Sequence, residues 1–159
     1  MSKKSAKKIV IAWEGLPICA SIVHETVRHF SVKMFGTRAA VPFQNIEKYI
    51  GCYVDDLASE NGMLEFHHEF LDADLVVLTG WSNKDWLDVA LNAKKTNKAL
   101  RICISVDNNL RLTARQMLGS IYFRSILKSK IDFFFVAGRS SYQLLRFFGV
   151  HPSQIFLQV

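Results

Sequence analysis

Apolar and polar positions divide the chain into two recurring kinds of segment. Lys8 to Trp13 (KIVIAW), Asp74 to Thr79 (DLVVLT), Leu100 to Val106 (LRICISV) and Phe133 to Ala137 (FFFVA) are short apolar runs, rich in β-branched or aromatic residues, without polar alternation. Such runs predict strands covered on both faces. Between them the period lengthens. Ser82 with Asp85 makes an S-x-x-D cap, and Trp86, Val89, Ala90 and Ala93 follow at the spacing of one buried helix stripe. Leu118, Ile121, Tyr122 and Ile126 repeat that stripe one unit later. Ser140 with Gln143 forms a further capping box, and its helix, through Leu144, Leu145 and Phe148, is expected to stop at Gly149 with Pro152 beyond.

Strand and helix in alternation are the mark of parallel βαβ units with right-handed crossovers. The predicted fold is therefore α/β, a Rossmann-like parallel sheet with helices on both faces. The stretch from Ser31 to Phe70 is less regular: it predicts a second strand over Ser31 to Phe35, a short third over Gly51 to Val54, and helix or loop around Ile46 and Phe66. At 159 residues and 50% hydrophobic, the chain suits one core rather than two. The expected organisation is a basic tail over residues 1–8 and a single Rossmann-like domain over residues 9–159.

Charge refines this picture. Residues 1–8 carry four Lys, residues 9–107 carry nine basic and thirteen acidic side chains, and residues 108–159 carry seven basic and one acidic. The basic last third suits a phosphate-bearing ligand, an anionic lipid surface or nucleic acid, while composition alone favours a plain solvated face. Arg111, Arg115, Arg124, Lys128 and Lys130 flank the stripe that includes Leu118, which predicts weak, salt-sensitive attachment to anionic membranes. No nucleic acid partner is expected. The three cysteines, Cys19, Cys52 and Cys103, are odd in number and far apart, as free buried thiols in a reducing compartment would be. The apolar run after MSKKSAKK ends within five residues, at Glu14, so a solvated tail is expected there rather than a signal peptide. The expected location is cytoplasmic, at most peripheral to a membrane.

Ligands of open parallel sheets bind beyond the carboxyl ends of the strands, where helix N-termini and loop backbones converge. Four strand ends here carry unusual residues: Glu14, Gly15, Leu16 and Pro17; Gly80, Trp81 and Ser82; Asp107, Asn108 and Asn109; Gly138, Arg139, Ser140 and Ser141. All four sets are expected on one rim. For Asp107 and Asn108 two readings compete, a polar site or a simple cap on the following helix. Several chemistries are excluded by spacing. The sequence has no G-x-G-x-x-G, no P-loop and no G-x-S-x-G elbow. His67 and His68 are adjacent and face apart, and His24 and His29 are five apart, so no metal site is expected.

The ordered set "WEGLP", "DLVVLTGW", "ISVDNN…RQMLGSIYFR", "DFFFVAGRSSYQLLRFFGV" and "HPSQIFLQV" resembles the N-terminal domain of a GT-B glycosyltransferase of the retaining family 4 type. The resemblance covers about 110 residues and is thin between Ser31 and Phe70. It implies the acceptor-binding half of an enzyme that transfers a sugar from a nucleotide-sugar donor to a saccharide or lipid-linked acceptor. The donor-binding C-terminal domain would be absent, no cofactor would be needed, and the isolated chain would be inactive. By position, the resemblance makes Asp107 the catalytic candidate and Glu14, Gly15, Trp81, Asn108, Gly138, Arg139 and Ser140 the substrate-binding candidates. Two features depart from the family pattern: Gly80-Trp81 and Val106-Asp107 stand where many relatives have His, and the first turn has one Gly rather than a pair. Two other functions remain open: a non-catalytic α/β module that binds an anionic partner through its basic last third, and a nucleotide-binding enzyme of unassigned chemistry.

Overall fold

The apolar runs become strands where the pattern sets them. The computed structural model describes residues 7–13, 20–36, 48, 54–56 and 60–157. In chain order the elements are β1 (Lys8–Trp13), α1 (Ala20–Val27), β2 (Ser31–Gly36), β3 (Val54–Asp56), α2 (Glu60–Leu71), β4 (Leu75–Thr79), α3 (Lys84–Thr96), β5 (Arg101–Val106), α4 (Ala114–Tyr122), β6 (Phe133–Val136), α5 (Arg139–Phe147) and β7 (Ile155–Leu157). A π-helical turn (Phe123–Leu127) extends α4, and a 3-10 turn (Pro152–Gln154) leads into β7. The described strands form one sheet of order β3-β2-β1-β4-β5-β6-β7, with every neighbouring pair parallel. This is the α/β, Rossmann-like architecture that the alternation predicts.

Side chains alternate across the sheet as the pleat requires. Val10, Ala12, Val76, Leu78, Ile102, Ile104, Phe134 and Val136 point to one face, where α2, α3, the π turn and α5 bury them with Phe66, Phe70, Trp86, Phe123, Leu127 and Leu145. Ile9, Ile11, Met34, Val77 and Cys103 point to the other, where Val23 of α1 packs on them. Helices therefore lie on both faces, but unevenly. Among the described residues only α1 covers the second face, and Phe135, Phe156 and Leu157 stay more than 40% exposed. The expectation that these runs are covered on both sides fails at β6, and β7 beside it is open in the same way.

Local signals were right about elements and less so about their ends. The third strand lies at Val54–Asp56, paired with Met34 to Gly36, and residues 51–53 of the expected strand lie outside the described residues, as does Ile46. The region of Phe66 is helix α2. The cap of α3 is Asn83, whose side chain accepts from Trp86 N at 3.3 Å, so Ser82 is one residue too early. Ser140 does not cap α5: its N-cap is Gly138, without a side-chain bond. At the other end of α5 the prediction holds. Gly149 has φ +81, and Val150 N and Gly149 N donate to Leu145 O and Arg146 O, which closes the helix in a Schellman turn.

The stripe of α4 is turned the other way. Leu118 and Ile121 are 70% and 63% exposed, and Tyr122 and Ile126 are exposed with them, while Ser120, Phe123 and Leu127 are buried. The cause is aromatic packing. Phe123 meets Phe148 and Trp81 at 5.3 Å and Phe134 at 5.7 Å between ring centres. Burying one such ring favours folding by about 1.5–3 kcal/mol, and edge contacts between rings add to it, which sets the rotation of the helix.

Candidate functional site

The strand order makes a topological switch point between β1 and β4. The helix that follows β1, α1, packs on one face and the helix that follows β4, α3, packs on the other, which is the arrangement at which open parallel sheets bind ligands. A cavity of about 620 Å³ lies there and runs along the second face. Its floor is apolar, with Ile11, Trp13, Val77 and Phe135, and its rim is polar, with Thr79, Ser82, Ser105, Asp107 and Asn108. The pleat explains the grouping. Thr79 pairs with Ser105, and Asp107 follows two residues later, so all three belong to the second face.

The backbone around this rim is ordered by the sheet. Gly80 N donates to Ser105 O at 2.9 Å and Thr79 Oγ1 donates to Ala12 O at 3.4 Å, tying the ends of β1, β4 and β5 together. Gly80 itself has φ +67, a left-handed conformation that a side chain would strain, so the turn that exits β4 needs glycine. Beyond β5 the chain passes Asp107, Asn108 and Asn109 before α4 begins.

The capping reading of Asp107 and Asn108 is answered directly. The N-cap of α4 is Thr113, whose side chain accepts from Gln116 N at 3.3 Å. Asp107 and Asn108 are exposed and line the cavity, and among the described residues their side chains form no hydrogen bond or ion pair. The other candidates divide. Gly80, from the same rim, lines the cavity. Trp81 turns into the core against Phe123 and Phe148. Gly138 and Arg139 begin α5 at the neighbouring strand end, and Ser140 Oγ accepts from Leu110 N at 3.1 Å. Glu14 and Gly15 lie outside the described residues. Thr79, Ser105 and Trp13 were missed, although single polar residues near the ends of otherwise apolar strands were a legible signal for the first two.

Nothing in the described residues assembles three or more His, Cys, Asp or Glu side chains that would hold a metal. Nor is any described helix long and apolar enough to cross a membrane.

No family model matches the chain, and no curated protein is similar enough to be a relative. Solved structures with a partly similar backbone include the PH0520 protein from Pyrococcus horikoshii OT3, with a TM-score of 0.43, 14% identity, and 97% of this chain and 41% of that one covered. The holo form of Rhodotorula graminis D-mandelate dehydrogenase gives 0.44 and 13%, covering 99% and 42%. A lactate dehydrogenase from Eimeria maxima, solved with NADH and oxamate, gives 0.35 and 11%, covering 100% and 45%. The chain thus spans less than half the length of these structures.

These findings correct the glycosyltransferase expectation. No family model matches the chain, and no glycosyltransferase stands among the similar structures given above. The motifs have an architectural explanation instead: "DLVVLTGW" is a strand, a glycine turn and a core tryptophan, and "DFFFVAGRSSYQLLRFFGV" is a strand and a helix closed by Gly149. The nucleotide-sugar donor, the saccharide or lipid-linked acceptor, the anionic membrane surface and the transferase activity fall with the family. The non-catalytic module built on the basic last third has no support either.

Proposed function

We propose that this chain is a nucleotide-binding domain whose ligand lies across the crevice between β1 and β4. The observation that carries this reading is the coincidence of the switch point with the cavity, whose apolar floor suits a planar ring and whose polar rim suits ribose hydroxyls. In this reading the ring rests on Ile11, Val77 and Phe135, and Asp107 and Asn108 accept from or donate to the sugar hydroxyls. Their side chains suit that role because no described residue already occupies them. The sequence has no G-x-G-x-x-G, so a pyrophosphate would be held without that fingerprint. The compartment we infer is the reducing cytoplasm: Cys103 is a free thiol, and burial pushes its pKa up to about 12, which keeps it protonated and unreactive.

NADH is the first probe, and ATP is the mononucleotide comparison. Trp13 lines the cavity and provides a fluorescent reporter. Titration of the wild-type chain is expected to quench saturably with one of the two. Asp107→Ala is expected to weaken that binding by about tenfold, as the loss of a charge-assisted hydrogen bond would, while the melting temperature stays within about 2 °C. Failure of both probes to bind, or equal affinity in the variant, would overturn the reading.

A further inference from the structure

The loop from Asp107 to Thr113 is held in place by two side chains that belong to other elements. Gln116, in the first turn of α4, accepts from Arg111 N at 2.8 Å and from Leu112 N at 3.0 Å through Oε1, and its Nε2 donates to Asn109 O at 2.7 Å. Ser140, in the first turn of α5, takes the amide just before these two, Leu110 N. Four consecutive residues, Asn109 to Leu112, are therefore anchored through their backbones. In a usual capping box the third helical residue reaches back to the amide of the cap. Here Thr113 and Gln116 form the T-x-x-Q pair, but Gln116 reaches past the cap to the two amides before it.

The geometry carries a cost that indicates what the anchoring is for. Leu112 has φ +51, a left-handed conformation that a branched apolar side chain seldom adopts, and its side chain is exposed rather than packed. Burial does not hold the loop in this shape, whereas the paired amide bonds to Gln116 do. The result is that the two residues before the anchored segment, Asp107 and Asn108, emerge at the cavity rim with their side chains directed to no described neighbour.

We propose that Gln116 is a positioning residue: it fixes the loop after β5 in the one shape that presents Asp107 and Asn108 to the ligand. This rests on the nucleotide reading for the identity of the ligand, but not for the loop geometry. Gln116→Met keeps the length of the side chain and removes all three bonds. In the wild-type chain without ligand, the amides of Arg111 and Leu112 are expected to exchange slowly; in Gln116→Met they are expected to exchange about tenfold faster or more, with global unfolding unchanged. NADH affinity in the same variant is expected to fall by about tenfold, because the loop must then be ordered on binding. Gln116→Glu keeps the acceptor and loses the donor to Asn109 O, so it is expected to restore slow exchange at both amides and to bind better than the methionine variant.

Unchanged amide exchange in Gln116→Met would overturn the anchoring. Faster exchange with unchanged affinity would show that the loop shape is irrelevant to the ligand and would overturn the positioning role. If wild-type chain binds neither NADH nor ATP, the nucleotide reading falls, and the two amides still decide whether Gln116 holds the loop.

Discussion

The two ends of the sheet use their polar residues in opposite ways. At the amino end, the Asp132 carboxylate accepts from Lys94 Nζ, from Arg101 NH1 at 2.9 Å and from Ile102 N at 2.8 Å. Asp74 takes the Lys8 amide at 2.8 Å, and Lys8 Nζ pairs with Glu69 at 2.6 Å. At the carboxyl end, Asp107 and Asn108 have no such partners among the described residues, and the bonds nearby hold the backbone rather than the side chains. Where acids are paired internally, they join strands and helices. Where they are held out on a braced loop, they remain available to a ligand, at the end where parallel sheets bind one.

The largest effect that separates the two ends is expected from Asp132→Ala. It leaves the Ile102 amide without its acceptor and Lys94 with only the Lys130 carbonyl, in a site where the Asp132 side chain is only 13% exposed. Arg101 is mostly exposed and contributes little. Stability is expected to fall by about 2–3 kcal/mol, with a melting temperature lower by roughly 5–10 °C and NADH affinity at room temperature unchanged. A weaker NADH affinity in this variant would mean that the two ends are not independent.

The next effect is a pH dependence. Burial alone would raise the Asp132 pKa, but hydrogen bonds from Lys94, the Ile102 amide and Arg101, with the Lys94 charge, outweigh it and hold the carboxyl below its ordinary value of 3.8. A group whose pKa is depressed by folding contributes stability above its unfolded pKa and loses it as the pH falls through the folded value. Urea midpoints are therefore expected to drop on acidification below about pH 4, and Asp132→Asn is expected to flatten that limb. An equal acid limb in the variant would remove Asp132 from its role.

The comparison also separates what was legible in the sequence from what was not. Strand positions were readable, because an apolar run buried in a sheet looks alike wherever it falls; β1 and β5 match the expected runs almost residue for residue. Asp107 and Asn108 were readable as rim residues for the same reason, since they follow a strand. The rotation of α4 was not, because periodicity states that a helix exists and leaves its facing to tertiary contacts, here the ring cluster around Phe123. The bracing of the loop was missed: Thr113 and Gln116 stand at T-x-x-Q spacing, but the reach of Gln116 past the cap depends on the left-handed turn at Leu112. The resemblance to a glycosyltransferase failed because the motifs that fall on described residues are strands, strand ends and helix termini, which strand–helix alternation produces in general.

The most direct test of the central claim is a map of amide chemical-shift changes in the wild-type chain on titration with NADH and, separately, ATP. The account predicts saturable shifts for one nucleotide at the carboxyl end, at Gly80, Ser82, Asp107 and Asn108, with the amides of Ile102 and Asp132 at the amino end unmoved. Shifts centred on the amino end, or none with either nucleotide, would contradict it.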